Sequence, residues 1–220
     1  MTTPDYLRLM QKMADVVAHE VRNPLNNILL STAHFKMNTP PNKDDTAFFV
    51  DIIERNCERI NTILADMITM IHDQGLTLDT YDLAGLIKEV MDENAAYFEL
   101  KKVQCKAAPG EEVMARFDRA KMKVVLEHVL QNALDAMGNG GTLFVRVEKG
   151  DEIRLEIRDS GEGISSEALP HIFVPFYTTR DRHKGLGLAL AKNIMDAHKG
   201  RIAVDTGTGG SCFTLCLPVN

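Results

Sequence analysis

Cysteine is scarce. The 220-residue chain has four, Cys57, Cys105, Cys212 and Cys216, with neither the CxxC spacing of a metal site nor the density of a disulfide scaffold. All four are expected to be reduced core residues. No stretch approaches the roughly 18 consecutive apolar residues that a membrane span needs. The start MTTPDYLRLM lacks the basic, then apolar, then small-residue order of a secretion signal. A cytoplasmic chain without membrane contact is the expectation. There is no basic surplus either, since 25 Lys and Arg stand against 31 Asp and Glu for a formal net charge of −6. That balance argues against general nucleic-acid binding, because phosphate contacts need a basic face. Internal repeats and low-complexity tracts are absent from the sequence. What is present, 45% hydrophobic and 25% charged side chains, suits one ordinary folded domain with an appended element.

The first 74 residues read as two amphipathic helices. From Asp5 to about Phe35, apolar residues recur at three and four: Met10, Met13, Val17, Val21, Leu25, Ile28 and Phe35. The stretch MNTPPNKDD, residues 37–45, concentrates Pro, Asn and Asp and predicts a loop, with Asp44 or Asp45 capping the next helix. Phe49, Ile53, Ile60, Ile63, Met67 and Met70 then repeat at bundle spacing. A lone hairpin would leave a wide apolar stripe in water, so a homodimer forming a four-helix bundle is expected.

After the turn at His72–Gly75 the pattern mixes helices with strands, in a second domain of residues 75–220. Helices are predicted over 83–100, 119–137 and about 187–198, and a strand over 102–108. TLFVRVEKG and DEIRLEIRD alternate at period two around Lys149-Gly150-Asp151, which predicts an antiparallel hairpin. RIAVDT and SCFTLCLP supply two last strands. Without regular βαβ alternation, this predicts an α+β sandwich with helices on one face of the sheet.

Three stretches of this domain share a need for close backbone approach. In RDSGEGI, Asp159 ends a strand, and Gly161 and Gly163 let the chain turn beside a ligand. A carboxylate fixed there can accept from an exocyclic amine such as that of adenine. In KGLGLALAKNI, Gly185 and Gly187 open a helix whose free N–H groups favour phosphate. Asn132 in QNALDAM stands mid-helix, where its low propensity brings no benefit and an oxygen ligand for a phosphate-bound Mg²⁺ would explain it.

Taken in order, AHEVRNPLNNI, EHVLQNALDAM, DSGEGI, IFVPFYTT and KGLGLALA resemble the phosphoacceptor, asparagine, first glycine, phenylalanine and second glycine boxes of two-component sensor histidine kinases. The resemblance covers essentially the whole chain: a dimerising phosphotransfer hairpin followed by a GHKL-type (Bergerat) ATP-binding domain. It implies ATP and Mg²⁺ as cofactors and a response-regulator receiver domain as partner. It also implies His19 as the phosphorylated residue, Asn132 as the Mg²⁺ ligand and Asp159 as the adenine reader. Gly161, Gly163, Gly185 and Gly187 would be nucleotide-loop glycines, joined by Arg180, Lys184 and Leu186. FYTT and the short lid are most similar to the nitrogen-regulator-type subgroup.

Against that background the stretch ADVVAHEVRNPLNN acquires a chemistry. His19 and Asn23 share a helical face and Glu20 adjoins the histidine. A neutral imidazole can attack a γ-phosphorus, and a neighbouring carboxylate can take or orient its proton. Pro24 lacks an N–H, frees the Glu20 carbonyl and predicts a kink that would let the histidine segment move between partners. By resemblance, Asn23 orients the water that dephosphorylates a partner's aspartate.

Two positions depart from the family pattern. His183, between Arg182 and Lys184, replaces a glycine two residues before Gly185, and His128 replaces a second Asn four residues before Asn132. The wider GHKL ATPases tend to carry a general-base glutamate near that place, and Glu127 is one residue off. Rival readings are a serine kinase or ATPase of the same fold, a degenerate phosphotransfer or scaffold protein with weakened ATP binding, and an inert helical dimer.

Overall fold

The computed structural model describes residues 3–37, 43–71, 75–108, 112–180 and 185–219. The chain divides into two compact units, Met1–Asp73 and Gln74–Asn220.

In the first unit, α1 (Thr3–Met37) and α2 (Lys43–Ile71) pack together as a helical pair. Ile63 is fully enclosed, while Val17, Val21, Ile28, Phe35, Phe49, Ile53 and Ile60 are half-buried. Near the connection, Phe49 meets Phe35 edge-on with ring centroids 5.8 Å apart and lies 4.2 Å from the ring of His34. One expectation changes here. The second helix begins at Lys43, so Asp44 and Asp45 belong to its first turn instead of preceding it. Helix α1 continues through Pro24, whose ring is buried. A missing backbone bond weakens one turn, and packing along a 35-residue helix carries the chain across it.

The second unit is built on a five-stranded sheet. Its strands are β2 (Val103–Ala108), β4 (Gly141–Lys149), β5 (Glu152–Asp159), β6 (Arg201–Gly207) and β7 (Gly210–Pro218), in the order β2-β4-β5-β7-β6. Only the β2–β4 pairing is parallel. Alternation decides which face is covered. Leu143, Val145 and Val147 of β4, Ile153, Leu155 and Ile157 of β5, and Phe213, Leu215 and Leu217 of β7 are buried. Their neighbours Arg146, Arg154 and Arg158 are exposed. Helices α3 (Leu83–Glu93), α5 (Arg119–Met137) and α6 (Gly187–Ala197) bury Ile87, Val125, Val129, Ala191 and Met195 in the same core. The predicted α+β sandwich is therefore the observed fold.

Local chemistry sets the ends. The Asp118 carboxylate accepts the Lys121 N–H at the start of α5, and Gly138, at φ 64°, ends that helix. The helix predicted over 83–100 breaks at Asn94, leaving α4 (Ala95–Leu100) separate. The Asn94 amide donates to the Val90 carbonyl at 2.8 Å, so its side chain competes for the backbone that would continue the helix. A two-stranded antiparallel pair, β1 (Asp79–Asp82) with β3 (Met114–Phe117), was not legible from the pattern. The cysteines also differ from expectation. All four are free thiols, but Cys57 and Cys105 are exposed, Cys212 is half-buried, and only Cys216 lies in the core.

Candidate functional site

The second unit gathers its chemistry along one stripe of α5. His128, Asn132 and Ala136 follow at intervals of four and so face the same way. At one end of the stripe, the loop leaving β5 presses on Ala136. The Glu162 N–H donates to the Ala136 carbonyl at 3.2 Å, and a Cβ on Gly161 would stand 2.6 Å from that carbonyl oxygen. At the other end, α6 begins against His128, where a Cβ on Gly187 would meet the imidazole Nδ1 at 2.8 Å. Asn132 lies between these contacts, half-buried. Its Nδ2 donates to the His128 carbonyl at 2.9 Å, which leaves Oδ1 as the amide's acceptor.

Asp159, the last residue of β5, is 2% exposed. Its Oδ1 accepts the Gly161 N–H at 2.8 Å and the Ser211 N–H at 3.3 Å. Burial pushes this carboxyl up from the ordinary aspartate range, opposed by those two N–H groups and by the charge of Arg180. Ser211 and Thr206 extend the network. Their hydroxyls are 2.9 Å apart, and Thr206 Oγ1 accepts the Ile164 N–H at 2.8 Å. Neither hydroxyl was singled out from sequence. The only local signal was the glycine-rich turn TGTGG between β6 and β7.

The glycines answer first to their own chain. Gly163 has φ 75°, and a Cβ there would collide with the Gly207 carbonyl. Gly185 has φ 66°, its carbonyl accepts the Phe176 N–H at 2.8 Å, and a Cβ would strike the Tyr177 carbonyl. Close approach is thus required by backbone packing whether or not a ligand is present. Arg180 is paired with Glu162 at 2.8 Å. The Leu186 side chain is buried in the core, so any ligand contact at that position runs through its backbone. Lys184, with Arg182 and His183, lies outside the described residues.

In the first unit, His19 and Asn23 are both exposed on α1, while Glu20 is half-buried. Arg59 of α2 pairs with Glu20, Nη2 to Oε2 at 3.4 Å, and Asn27 donates to Asn56 across the same two helices at 3.2 Å. Sequence reasoning found Glu20 and missed Arg59, which is 39 positions away.

The donor set of the second unit fits a Mg²⁺-nucleotide. It offers a buried carboxylate for an amine, a helix N-terminus for phosphate and one amide oxygen of the hard type that Mg²⁺ takes. No cluster of three or more His, Cys, Asp or Glu that could cage a metal exists among the described residues. A Mg²⁺ here would rest on Asn132 and on phosphate oxygens.

The chain is thus a helical pair with an exposed histidine, joined to a sandwich whose donor set fits a nucleotide. Residues 9–72 match the His Kinase A (phospho-acceptor) domain, and residues 117–220 match the histidine kinase-, DNA gyrase B- and HSP90-like ATPase domain. The chain belongs to the two-component sensor histidine kinases, whose catalytic core it carries. Among similar proteins, the sensor histidine kinase ZraS of Escherichia coli strain K12 is 33% identical over 94% of this chain and 45% of its own length. The chain thus spans about half the length of the curated relatives it matches. The histidine kinase ThkA, solved in complex with the response regulator TrrA, superposes with TM-score 0.77 at 25% identity, covering 99% of this chain and 64% of the other. The Acinetobacter baumannii histidine kinase AdeS shares the fold, with TM-score 0.73 at 21% identity, covering 92% of this chain and 98% of the other. No helix among the described residues is long and apolar enough to cross a membrane.

Proposed function

We propose that the chain phosphorylates its own His19 from Mg-ATP and passes the phosphoryl group to an aspartate of a response-regulator receiver. Residues 1–74 are then the phosphotransfer and dimerisation hairpin, and residues 75–220 the ATP-binding domain. The observation that carries this reading is the α5 stripe, with Asn132 flanked by the β5 loop at Ala136 and the start of α6 at His128. Asp159 Oδ2 takes the exocyclic amine of adenine, since both N–H donors meet Oδ1. The backbone N–H groups opening α6, with Gly185, Gly187 and Lys184, receive phosphate. Asn132 Oδ1 is a ligand to Mg²⁺, which when bound neutralises phosphate charge and orients the transferred group.

In the chemical step a neutral imidazole nitrogen of His19 forms the N–P bond as the bond from the γ-phosphorus to ADP oxygen breaks. The proton on the other ring nitrogen passes to Glu20, and ADP leaves with the bond pair. Exposure of His19 suits it to meet both nucleotide and receiver. Asn23, one turn on, orients the water that hydrolyses the receiver's phosphoaspartate, so phosphatase activity accompanies kinase activity. ThkA, crystallised with a response regulator, supports the choice of partner. Leu25, Leu29, Leu30, Leu64 and Ile68 are exposed on the helical pair, Leu30 by 71%, which supports a second copy completing a four-helix bundle.

Incubation with radiolabelled Mg-ATP tests the reading. Wild type is expected to take alkali-stable, acid-labile label, and His19→Gln none, with ATP affinity unchanged. An unlabelled wild type would favour the degenerate phosphotransfer or scaffold reading instead.

A further inference from the structure

We infer that Arg59 is a positioning residue for phosphoryl transfer, holding the Glu20 carboxylate in the place from which it takes the His19 proton. This rests on the function proposed above. Adjacent residues on a helix are turned by about 100° from each other. His19 therefore faces solvent while Glu20 turns toward α2, where its side chain is 21% exposed. Arg59 is the only cation paired with Glu20 among the described residues.

The pair acts on one oxygen. Arg59 Nη2 meets Oε2, which leaves Oε1 for the proton that the imidazole releases as its other nitrogen bonds to phosphorus. A glutamate free in water spreads over many rotamers, and fixing one of them costs conformational entropy. A guanidinium tether removes part of that spread before the reaction begins.

The surrounding helix explains why a tether is needed there. Pro24 has no N–H for the Glu20 carbonyl, so the turn carrying Glu20 lacks one backbone bond. Side chains cross-link the two helices on either side of that turn. Glu20 joins Arg59, and one heptad further along α1 Asn27 joins Asn56, three residues before Arg59 on α2. Ser31 adds a third local bond, its hydroxyl donating to the Asn27 carbonyl at 2.9 Å. The segment 20–27 is thus anchored to α2 at both ends across its weakest turn.

The test is the single-turnover rate of phosphohistidine formation at saturating Mg-ATP in the dimeric protein, for wild type, Arg59→Ala, Arg59→Lys, Glu20→Gln and Glu20→Gln/Arg59→Ala. Arg59→Ala is expected to slow the step about tenfold without raising the ATP concentration at half-saturation. Arg59→Lys should recover most of that loss. In the Glu20→Gln background, Arg59→Ala should cost nothing further, because the group it positions is gone. A full additional loss in that background would overturn the inference, as would a wild-type rate in Arg59→Ala alongside a slow Glu20→Gln. A purely structural role would instead show as lost helicity or dimerisation in both Arg59 variants, and would also overturn it. If wild type takes no label, or Glu20→Gln is unimpaired, the underlying reading fails and the inference with it.

Discussion

The backbone N–H of Asp118 donates to Nε2 of His198 across 2.9 Å, although the two residues stand 80 positions apart. The other ring nitrogen, Nδ1, donates to the Ile194 carbonyl at 2.8 Å, so the buried ring is neutral with its proton on Nδ1. One imidazole thereby ties the end of α6 to the beginning of α5. The Asp118 carboxylate adds two bonds, accepting the Lys121 N–H at 3.1 Å and the Thr77 N–H at 3.0 Å. The two helices that frame the candidate nucleotide site share this anchor at the ends away from Asn132 and Gly187. His198→Ala is expected to lower stability by about 2–3 kcal/mol, since it strands a buried N–H and leaves a cavity. Urea unfolding of the purified chain measures this, and His198→Gln should lose less.

Asp159 is a buried carboxyl whose charge works against folding. Its carboxyl is raised because burial disfavours the charge, so ionisation costs the folded state free energy at neutral pH. The stability it contributes is present when protonated at low pH and is lost as pH rises through the raised value. Asp159→Asn keeps an oxygen for the Gly161 and Ser211 N–H groups and removes the charge. Its melting temperature should exceed that of wild type at neutral pH, with the gap closing as pH falls below the ordinary aspartate range. ATP binding, followed by calorimetry, should be lost. A variant that keeps wild-type affinity would remove Asp159 from the adenine site.

Glu152 runs the opposite way. Arg201 donates to both of its oxygens, at 2.5 and 2.6 Å, bridging β5 and β6 across β7. Hydrogen bonds from Arg201 hold its carboxyl down to about 2, against desolvation and with help from Arg154 and Cys216. A depressed carboxylate stabilises above its ordinary range, and that contribution fades as pH falls toward the folded value. Glu152→Gln should therefore lower the urea midpoint most at neutral pH and approach wild type as pH nears about 2. An equal gap at every pH would show that packing, and not charge, sets the effect.

Much of this was legible in advance, for identifiable reasons. Helix α5 runs from Arg119 to Met137 as predicted, because Asp118 and Gly138 are strong local end signals. The β4–β5 hairpin declared itself through strict alternation around Gly150 and Asp151. By contrast, β1 and β3 have four residues each, too short for periodicity to register, and they pair across the whole of α3, α4 and β2. The break at Asn94 depends on a side-chain bond to the Val90 carbonyl that no spacing rule announces. At the candidate site the boxes located Asn132, Asp159 and the glycines, but not Thr206, Ser211 or Arg59. Thr206 is tied to Ile164, Ser211 to Asp159 and Arg59 to Glu20, all distant in sequence, and the turn TGTGG is the only local mark of the first two.

Backbone demand at Gly163 can be separated from ligand contact. An alanine there would sit at positive φ, at a cost of about 1–2 kcal/mol, and its Cβ would collide with the Gly207 carbonyl. Gly209, in the neighbouring turn, has open space around it. Gly163→Ala should therefore lower the melting temperature of the nucleotide-free protein, while Gly209→Ala leaves it nearly unchanged. If Gly163→Ala is as stable as wild type but binds ATP poorly, this glycine serves the ligand and not the chain.

Asn132 offers the cleanest separation of folding from chemistry. It occupies the interior of α5, where alanine has the higher helix propensity by about 0.5–0.7 kcal/mol. Asn132→Ala forfeits one bond from Nδ2 to the His128 carbonyl within the same helix, a bond that water can replace by donating to that carbonyl at a half-buried position. The two effects nearly cancel, so unfolding in urea should shift by less than about 0.5 kcal/mol. Function should respond quite differently, because the lost Oδ1 is the oxygen proposed to meet Mg²⁺. Wild type is expected to bind ATP more tightly with Mg²⁺ than with the ion chelated, and Asn132→Ala to bind weakly and equally in both. Retention of the Mg²⁺ effect in Asn132→Ala would mean that the ion is held through other oxygens, and the stripe of α5 would then position the nucleotide without touching its metal.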